Sequence, residues 1–259
     1  MKKTLIDVIF ASEKRKNVIL ELIDGPLEMP LLLEKLNTSR QALLPQMKIL
    51  KGHDLVYQFD DTYALTSSGK LIAEEMKPFV DIIETLDESS HYLTKHDING
   101  IPDALLNRIN EIKGCTIVEP EIVNVHDINK DYVKEALKSE TVYLLFTFMH
   151  PECPCILKKM AEKGMDISII LTRKLAEKMQ RDFPEEHKLF TSYSNIKFYL
   201  YDKNLSVSSL AVTDSGFLLR LLFKNREFSN KQVMCMHEQG RLWAKELYEY
   251  FLKDSVPMK

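Results

Sequence analysis

The reading of this chain turns on residues 16–77, KNVILELIDGPLEMPLLLEKLNTSRQALLPQMKILKGHDLVYQFDDTYALTSSGKLIAEEMK. Three short helical patterns precede a two-stranded ribbon. Leu20 and Ile23 close the first helix before the breaker Asp24-Gly25-Pro26. Leu32, Leu33 and Leu36 line the second, and Asn37-Thr38-Ser39 supplies the turn and N-cap of the third. In that third helix Leu43, Met47 and Leu50 recur at i, i+4 and i+7, so one stripe faces the other two helices while Gln41, Lys48 and their neighbours face outward. Gly52 ends it. Asp54-Leu55-Val56-Tyr57 rises as a strand, Asp60-Asp61 turns, Tyr63-Ala64-Leu65 returns, and Thr66-Ser67-Ser68-Gly69 opens another helix.

This order resembles the winged helix-turn-helix DNA-binding domains of prokaryotic transcription regulators, and LKGHDLV…YALTSSGKLIAEEM shares their habit of closing the recognition helix at a glycine. A helix fits the major groove, polar side chains near its N-terminus reach base edges, and the wing and flanking amides touch phosphate. Ser39, Arg40, Gln41 and Lys48 are therefore the expected groove residues and Lys51 the expected backbone contact, the alternative being ordinary solvated helix residues. Two features depart from the pattern. Pro45 lies inside the third helix, which predicts a later start or a kink at a cost of ~3 kcal/mol if fully interior. The wing tip Asp60-Asp61 is acidic and repels phosphate, so a single copy is expected to bind DNA modestly and a homodimer more tightly.

Composition frames the rest. The 259 residues suffice for two domains, and 45% hydrophobic content gives each a core. With Lys+Arg 35 against Asp+Glu 38 the formal charge is -3, so no global basic excess announces nucleic acid; a protein using one helix does not need one. No stretch approaches the ~20 apolar residues of a membrane span, and the first residues lead into Glu13-Lys14-Arg15-Lys16 instead of a cleavable apolar core, so no membrane partner and a cytoplasmic location are expected. Four cysteines in so long a chain predict no disulfide framework, with Cys115 and Cys235 as small buried apolar residues.

The predicted organisation is a winged domain over 1–68, a linker and dimerisation helix over 69–100, and a third segment over 101–259. Apolar Leu71, Ile72, Phe79, Ile82, Ile83 and Leu86 describe the linker helix, and SSHYLTKHDINGIP, residues 89–102, the boundary. Beyond it, strands are expected at 115–118, 141–148, 165–172, 196–201, 207–213 and 217–223, with helices between the first four and a final helix over 232–252. That is an α/β domain with a mixed sheet, making the whole chain α+β.

The succession IKFYLYD, SSLAVTD, FLLRLLF and a long helix containing RLWAKELYEYF resembles the effector domain of an archaeal regulator family. That family joins an N-terminal winged helix to a phospholipase D-like domain and includes regulators of methanogenesis and filament growth in methanogens. The resemblance implies an archaeal transcription regulator, not an enzyme, whose second domain senses an effector. Phospholipase D chemistry needs a histidine nucleophile with a lysine two residues on, and none of the seven histidines has one. GxxxxGK[ST], GxGxxG and GxSxG are absent too, so no cofactor is expected.

Two places in the second domain carry chemistry. His150-Pro151-Glu152-Cys153-Pro154-Cys155 precedes a helix, where the dipole lowers a thiol pKa; it reads as a structural loop, a thiol sensor through Cys153 and Cys155, or a soft metal site with His150. Arg220 shares a strand face with Leu218 and Leu222, where an apolar side chain belongs, and calls for a carboxylate of the protein or a small anionic effector. Arg173, past a strand end where α/β crevices open, is a second candidate for that effector. Three functions follow: a homodimeric regulator binding double-stranded DNA, an enzyme with an interaction domain, or a winged-helix protein-contact factor.

Overall fold

The computed structural model describes residues 4–89, 92–121 and 128–258. It divides into two compact units, Met1–Asp81 and Ile82–Lys259. The division falls inside the segment 69–100, and Ser90 and His91 of the expected boundary lie outside the described residues.

The first unit runs α1 (Leu5–Phe10), α2 (Glu13–Glu21), β1 (Leu27–Glu28), α3 (Met29–Lys35), α4 (Arg40–Gly52), β2 (Val56–Phe59) and β3 (Thr62–Leu65), then enters α5 (Ser67–Glu88). The strands order β1-β3-β2, all antiparallel. Strand β1 has no counterpart in the sequence reading: two residues carry no periodicity, and it forms because Leu27 pairs with Tyr63 across the returning strand. Val18, Ile19, Met29, Leu32, Leu43 and Leu50 are fully inaccessible and form the core. Leu43, Met47 and Leu50 are the buried side of α4, as their spacing predicts. Gly69 fixes the entry of α5, because a Cβ there would sit 2.0 Å from the Leu55 carbonyl oxygen.

Pro45 neither delays α4 nor ends it. The helix begins at Arg40, with the Ser39 side chain accepting a hydrogen bond from the Ala42 amide at 3.3 Å. Pro45 stands one turn inside, where it removes a single bond of the ladder, and the Gln41 carbonyl that loses it belongs to an exposed residue.

The second unit holds α6 (Tyr92–Lys95), α7 (Asp103–Leu106), a 3-10 turn at Ile109–Ile112, β4 (Thr116–Val118), α8 (Lys130–Ala136), β5 (Thr141–Phe146), α9 (Cys153–Glu162) and β6 (Asp166–Thr172). It continues through α10 (Arg173–Asp182), α11 (Pro184–Ser192), β7 (Ile196–Tyr201), β8 (Val207–Thr213), β9 (Phe217–Leu221), β10 (Gln232–Cys235), α12 (Glu238–Lys253) and β11 (Val256–Pro257). One mixed sheet orders β11-β7-β6-β5-β8-β9-β10-β4; β5, β6 and β7 are parallel and the other pairs antiparallel. One face buries Trp243, Leu247 and Phe251 of α12 against Leu210, Phe217 and Leu219. The other carries Val142, Leu144, Ile167 and Ile169 under Leu157 and Met160 of α9 and Leu175 of α10.

Two expectations are corrected. Gln232–Cys235 is a strand, not the start of the last helix, which begins at Glu238 behind the N-cap His237. The four residues suit either state locally; pairing with β9 and β4 decides it. That pairing also sets Cys235 beside Cys115 at a Cα separation of 4.6 Å, and the two form a disulfide instead of lying as separate apolar residues. Their 120-residue separation hid the contact.

Candidate functional site

On the exposed side of α4 lie Ser39, Arg40, Gln41 and Lys48, while Lys51 stands in its last turn. Two of the five have partners on the hairpin. The Arg40 guanidinium meets Asp61 at 2.7 Å, and Lys51 donates to Gln58 at 2.8 Å. The acidic turn therefore does more than repel phosphate, since one of its carboxylates holds the cation at the start of α4. Beside it on β2, Tyr57 and Phe59 are exposed aromatic side chains.

In the second unit a cavity of about 120 Å³ opens between the sheet and helices α8 and α9. Its walls are mostly apolar, among them Val142, Leu144, Phe146, Ile156, Leu157 and Leu218. Arg220, His150 and Cys153 all line it, so two features that the sequence left unconnected share one site. Strand alternation explains the arginine: Phe217, Leu219 and Leu221 face α12, which turns Leu218 and Arg220 to the cavity. Opposite Arg220 the β8–β9 register slips by one residue between Val207 and Ser209, a bulge that locally re-aims the pair.

The guanidinium carbon of Arg220 lies 5.6 Å from the Phe148 ring centroid and 5.3 Å from that of Phe228. The two rings meet edge to face at 4.9 Å. Among the described residues Arg220 has no ion-pair partner, and its buried Nε has no hydrogen bond. Burial lowers the guanidinium pKa; the opposing influences come from Tyr92 and the Cys153 thiol, not from a carboxylate. Gln232, only 2% exposed, lines the same cavity with its Oε1 also unpartnered.

The cysteine loop differs from its reading. Cys153 is the first residue of α9, yet burial, outweighing the lowering by the His150 main-chain hydrogen bond and by Arg220, pushes its thiol up to about 11, so it is a neutral thiol, not a thiolate. Cys155 is exposed and, two residues on along a helix, faces away from it. His150, Cys153 and Cys155 do not converge as metal ligands. Among the described residues the trio with ligand atoms within 4.8 Å of one another is Cys115, Cys235 and His237, and its two sulfurs are bonded together. Arg173 does not line the cavity; it is exposed and paired with Asp202, whose carboxylate it meets at 2.6 Å through its second contact. No helix of the described chain is long and apolar enough to cross a membrane.

Residues 3–84 match the N-terminal domain of methanogenesis regulatory protein FilR1, and residues 125–254 match its middle domain. Methanogenesis regulatory protein FilR1 of Methanothrix harundinacea (strain 6Ac) is 20% identical over 257 residues, covering 96% of this chain and 57% of that protein. The chain thus spans little more than half the length of that curated relative. Among solved structures, TrmBL2, an archaeal chromatin protein described as showing a novel mode of DNA binding, is 11% identical over 98% of this chain and 97% of its own, with a TM-score of 0.45. The dimethyltransferase RosA of Streptomyces davawensis is 12% identical over 76% and 63%, with a TM-score of 0.25. Neither score is high enough to bear on fold or activity. The two domain matches follow one another in the same order along most of the sequence, and by them the chain belongs to the family of the methanogenesis regulatory protein FilR1.

Proposed function

We propose that this protein is a cytoplasmic, homodimeric transcription regulator of an archaeon that binds double-stranded DNA through its first unit and an effector through its second. The observation that carries the reading is α4. Its apolar stripe is wholly consumed by the core, its N-terminal turn is capped, and Ser39, Arg40, Gln41 and Lys48 stand on the free side beside a short hairpin. Lys51 reaches the backbone in the same reading. The family's regulatory name supports it.

Dimerisation is supported by α5, on which the apolar Leu71, Phe79 and Ile83 are exposed, the first two at 65% and 55%. The stretch 69–100 is the linking and dimerising segment in this proposal. An effector that prefers one arrangement of the second domain shifts the spacing of the two α4 helices through it. The second domain is read as a phospholipase D-like fold, as the family resemblance implies, and the missing His-x-Lys pair in the sequence supports one kept without that chemistry.

Fluorescence anisotropy of the full chain on DNA from upstream of its own coding region, against scrambled DNA and across a salt series, tests the reading. Specific binding that weakens with salt is expected. Equal binding to both DNAs, or none, overturns it in favour of a winged-helix protein-contact factor.

A further inference from the structure

Across the sheet the side chains around Arg220 form a row. Phe146 of β5 pairs with Ser209 of β8, and Ser209 pairs with Arg220 of β9. The β9–β10 register, Val233 with Leu219 and Met234 with Leu218, continues to Gln232 opposite Arg220, and Gln232 pairs with Val118 of β4. Ser209, Arg220 and Gln232 all line the cavity, so three polar side chains stand side by side in a largely apolar enclosure that Asn129, His150 and Thr213 also line.

Each end of this row lacks something. A buried guanidinium ordinarily finds a carboxylate, because taking the charge out of water is costly unless it is paired. Here two aromatic faces take that place, and they offer no hydrogen-bond acceptor to its Nε. The Gln232 carboxamide is sealed from solvent with its oxygen unmatched. Buried polar atoms left this way are normally satisfied by a ligand or by water.

We propose that this cavity is the effector site and that its ligand is a monocarboxylate with a small apolar body, the carboxylate on Arg220 and the body against Leu144, Leu157 and Leu218. This inference rests on the effector half of the proposed function and specifies its chemistry. Charge argues for a carboxylate over a phosphate. Among the described residues, Arg220 lines the cavity without an ion-pair partner and no lysine joins it, and a dianion would leave one negative charge in a largely apolar enclosure. Size argues for a body of about six carbons or fewer, since a dry cavity of ~150 Å³ accommodates benzene and this one measures about 120 Å³. Ser209 donates to the second carboxylate oxygen. Gln232 presents either end of its amide, the two interchanging by rotation about its last bond. The Phe148 and Phe228 rings both stack on the guanidinium, and Phe228 is half exposed.

Cys153 supplies an internal reporter, because its thiol is inside the cavity while Cys155 is outside. The test uses the full chain without DNA. Titration calorimetry is run with benzoate and hexanoate, with the neutral analogues benzamide and hexanol, and with phenyl phosphate. In parallel, the reaction rates of both thiols with a small methanethiosulfonate are followed by peptide mass. The carboxylates are expected to bind at least tenfold more tightly than their neutral analogues and to slow Cys153 at least fivefold while leaving Cys155 unchanged; Arg220→Met is expected to remove both effects. Equal affinity for acids and neutral analogues, preference for phenyl phosphate, or carboxylate binding that leaves Cys153 unprotected overturns the proposal. The thiol protection is read on the unaltered chain, so it decides the matter even if Arg220→Met fails to fold. Because DNA takes no part, failure here leaves DNA binding standing, and failure of DNA binding leaves this result standing.

Discussion

Arg40, at the first position of α4, is held by Asp61 at the tip of the hairpin, with Nη2 2.7 Å from Oδ1 and Nη1 3.5 Å from Oδ2. A side chain proposed to meet DNA is thus engaged by a carboxylate that would repel phosphate. Both are half exposed, and a pair of that kind contributes about 0–1 kcal/mol to stability. Asp61→Asn is therefore expected to leave the melting temperature nearly unchanged. If it frees Arg40 for one more phosphate contact, DNA affinity rises about five- to tenfold near 0.1 M salt and the slope of log K against log salt steepens by about 1. Unchanged affinity and slope would remove Arg40 from the interface.

Gly69 and Gly52 make a contrasting pair. A Cβ at Gly69 would press to 2.0 Å on the Leu55 carbonyl, whereas one at Gly52 meets nothing within 4 Å. Backbone cannot retreat as a side chain does. Gly69→Ala is expected to destabilise the first unit by about 2–3 kcal/mol, while Gly52→Ala is neutral or stabilising by up to about 1 kcal/mol. Denaturant unfolding followed by circular dichroism measures both.

The Cys115–Cys235 bond closes a loop of 120 residues, for which chain entropy gives about 4–5 kcal/mol of stabilisation. Reductant is expected to lower the melting temperature of the wild-type chain and to have no such effect on Cys115→Ala. Alkylation under denaturing conditions without reductant should label two cysteines, Cys153 and Cys155. Four labels before reduction would contradict the bond.

His96 gives the stability a pH dependence. It is 1% exposed, and because the Tyr92 carbonyl 2.6 Å from Nδ1 can only accept, Nδ1 carries the proton and Nε2 accepts from Ser229 at 2.8 Å. Burial, aided by Lys231 and Lys95, lowers its pKa, against the raising influence of the Tyr92 carbonyl. The unfolded chain then binds the proton more readily than the folded one. The contribution is fully present above the unfolded value of about 6.5 and is lost as pH falls from there toward the lowered folded value. Melting temperatures between pH 7.5 and 5 should decline, and His96→Asn should flatten that part of the curve.

Periodic features were legible in the sequence. Leu43, Met47 and Leu50 announced the buried side of α4, and β7 and β8 lie where their apolar runs put them. Alternation alone identified the face that Arg220 shares with Leu218. What stayed hidden depends on partners far along the chain. Gln232–Cys235 becomes a strand through its neighbours, and the disulfide follows from that pairing. The helix start at Cys153 was readable, but the desolvation that raises its thiol pKa was not, because the walls come from α8, β5, β8, β9 and β10. Arg173 was assigned by its place at a strand end, and nothing local signalled Asp202.

Pro45 leaves something on α4 that no side chain supplies. With no N–H at that position, the main-chain carbonyl of Gln41, an exposed residue, lacks its i+4 helical donor. In the proposed DNA complex, an exocyclic amino group of adenine or cytosine would match such an acceptor. Replacing every exposed residue of α4 in turn by alanine leaves this acceptor in place as long as Pro45 is kept. If α4 meets DNA as proposed, the sum of such a scan falls short of what the helix contributes, and the difference surfaces only when Pro45 itself is changed.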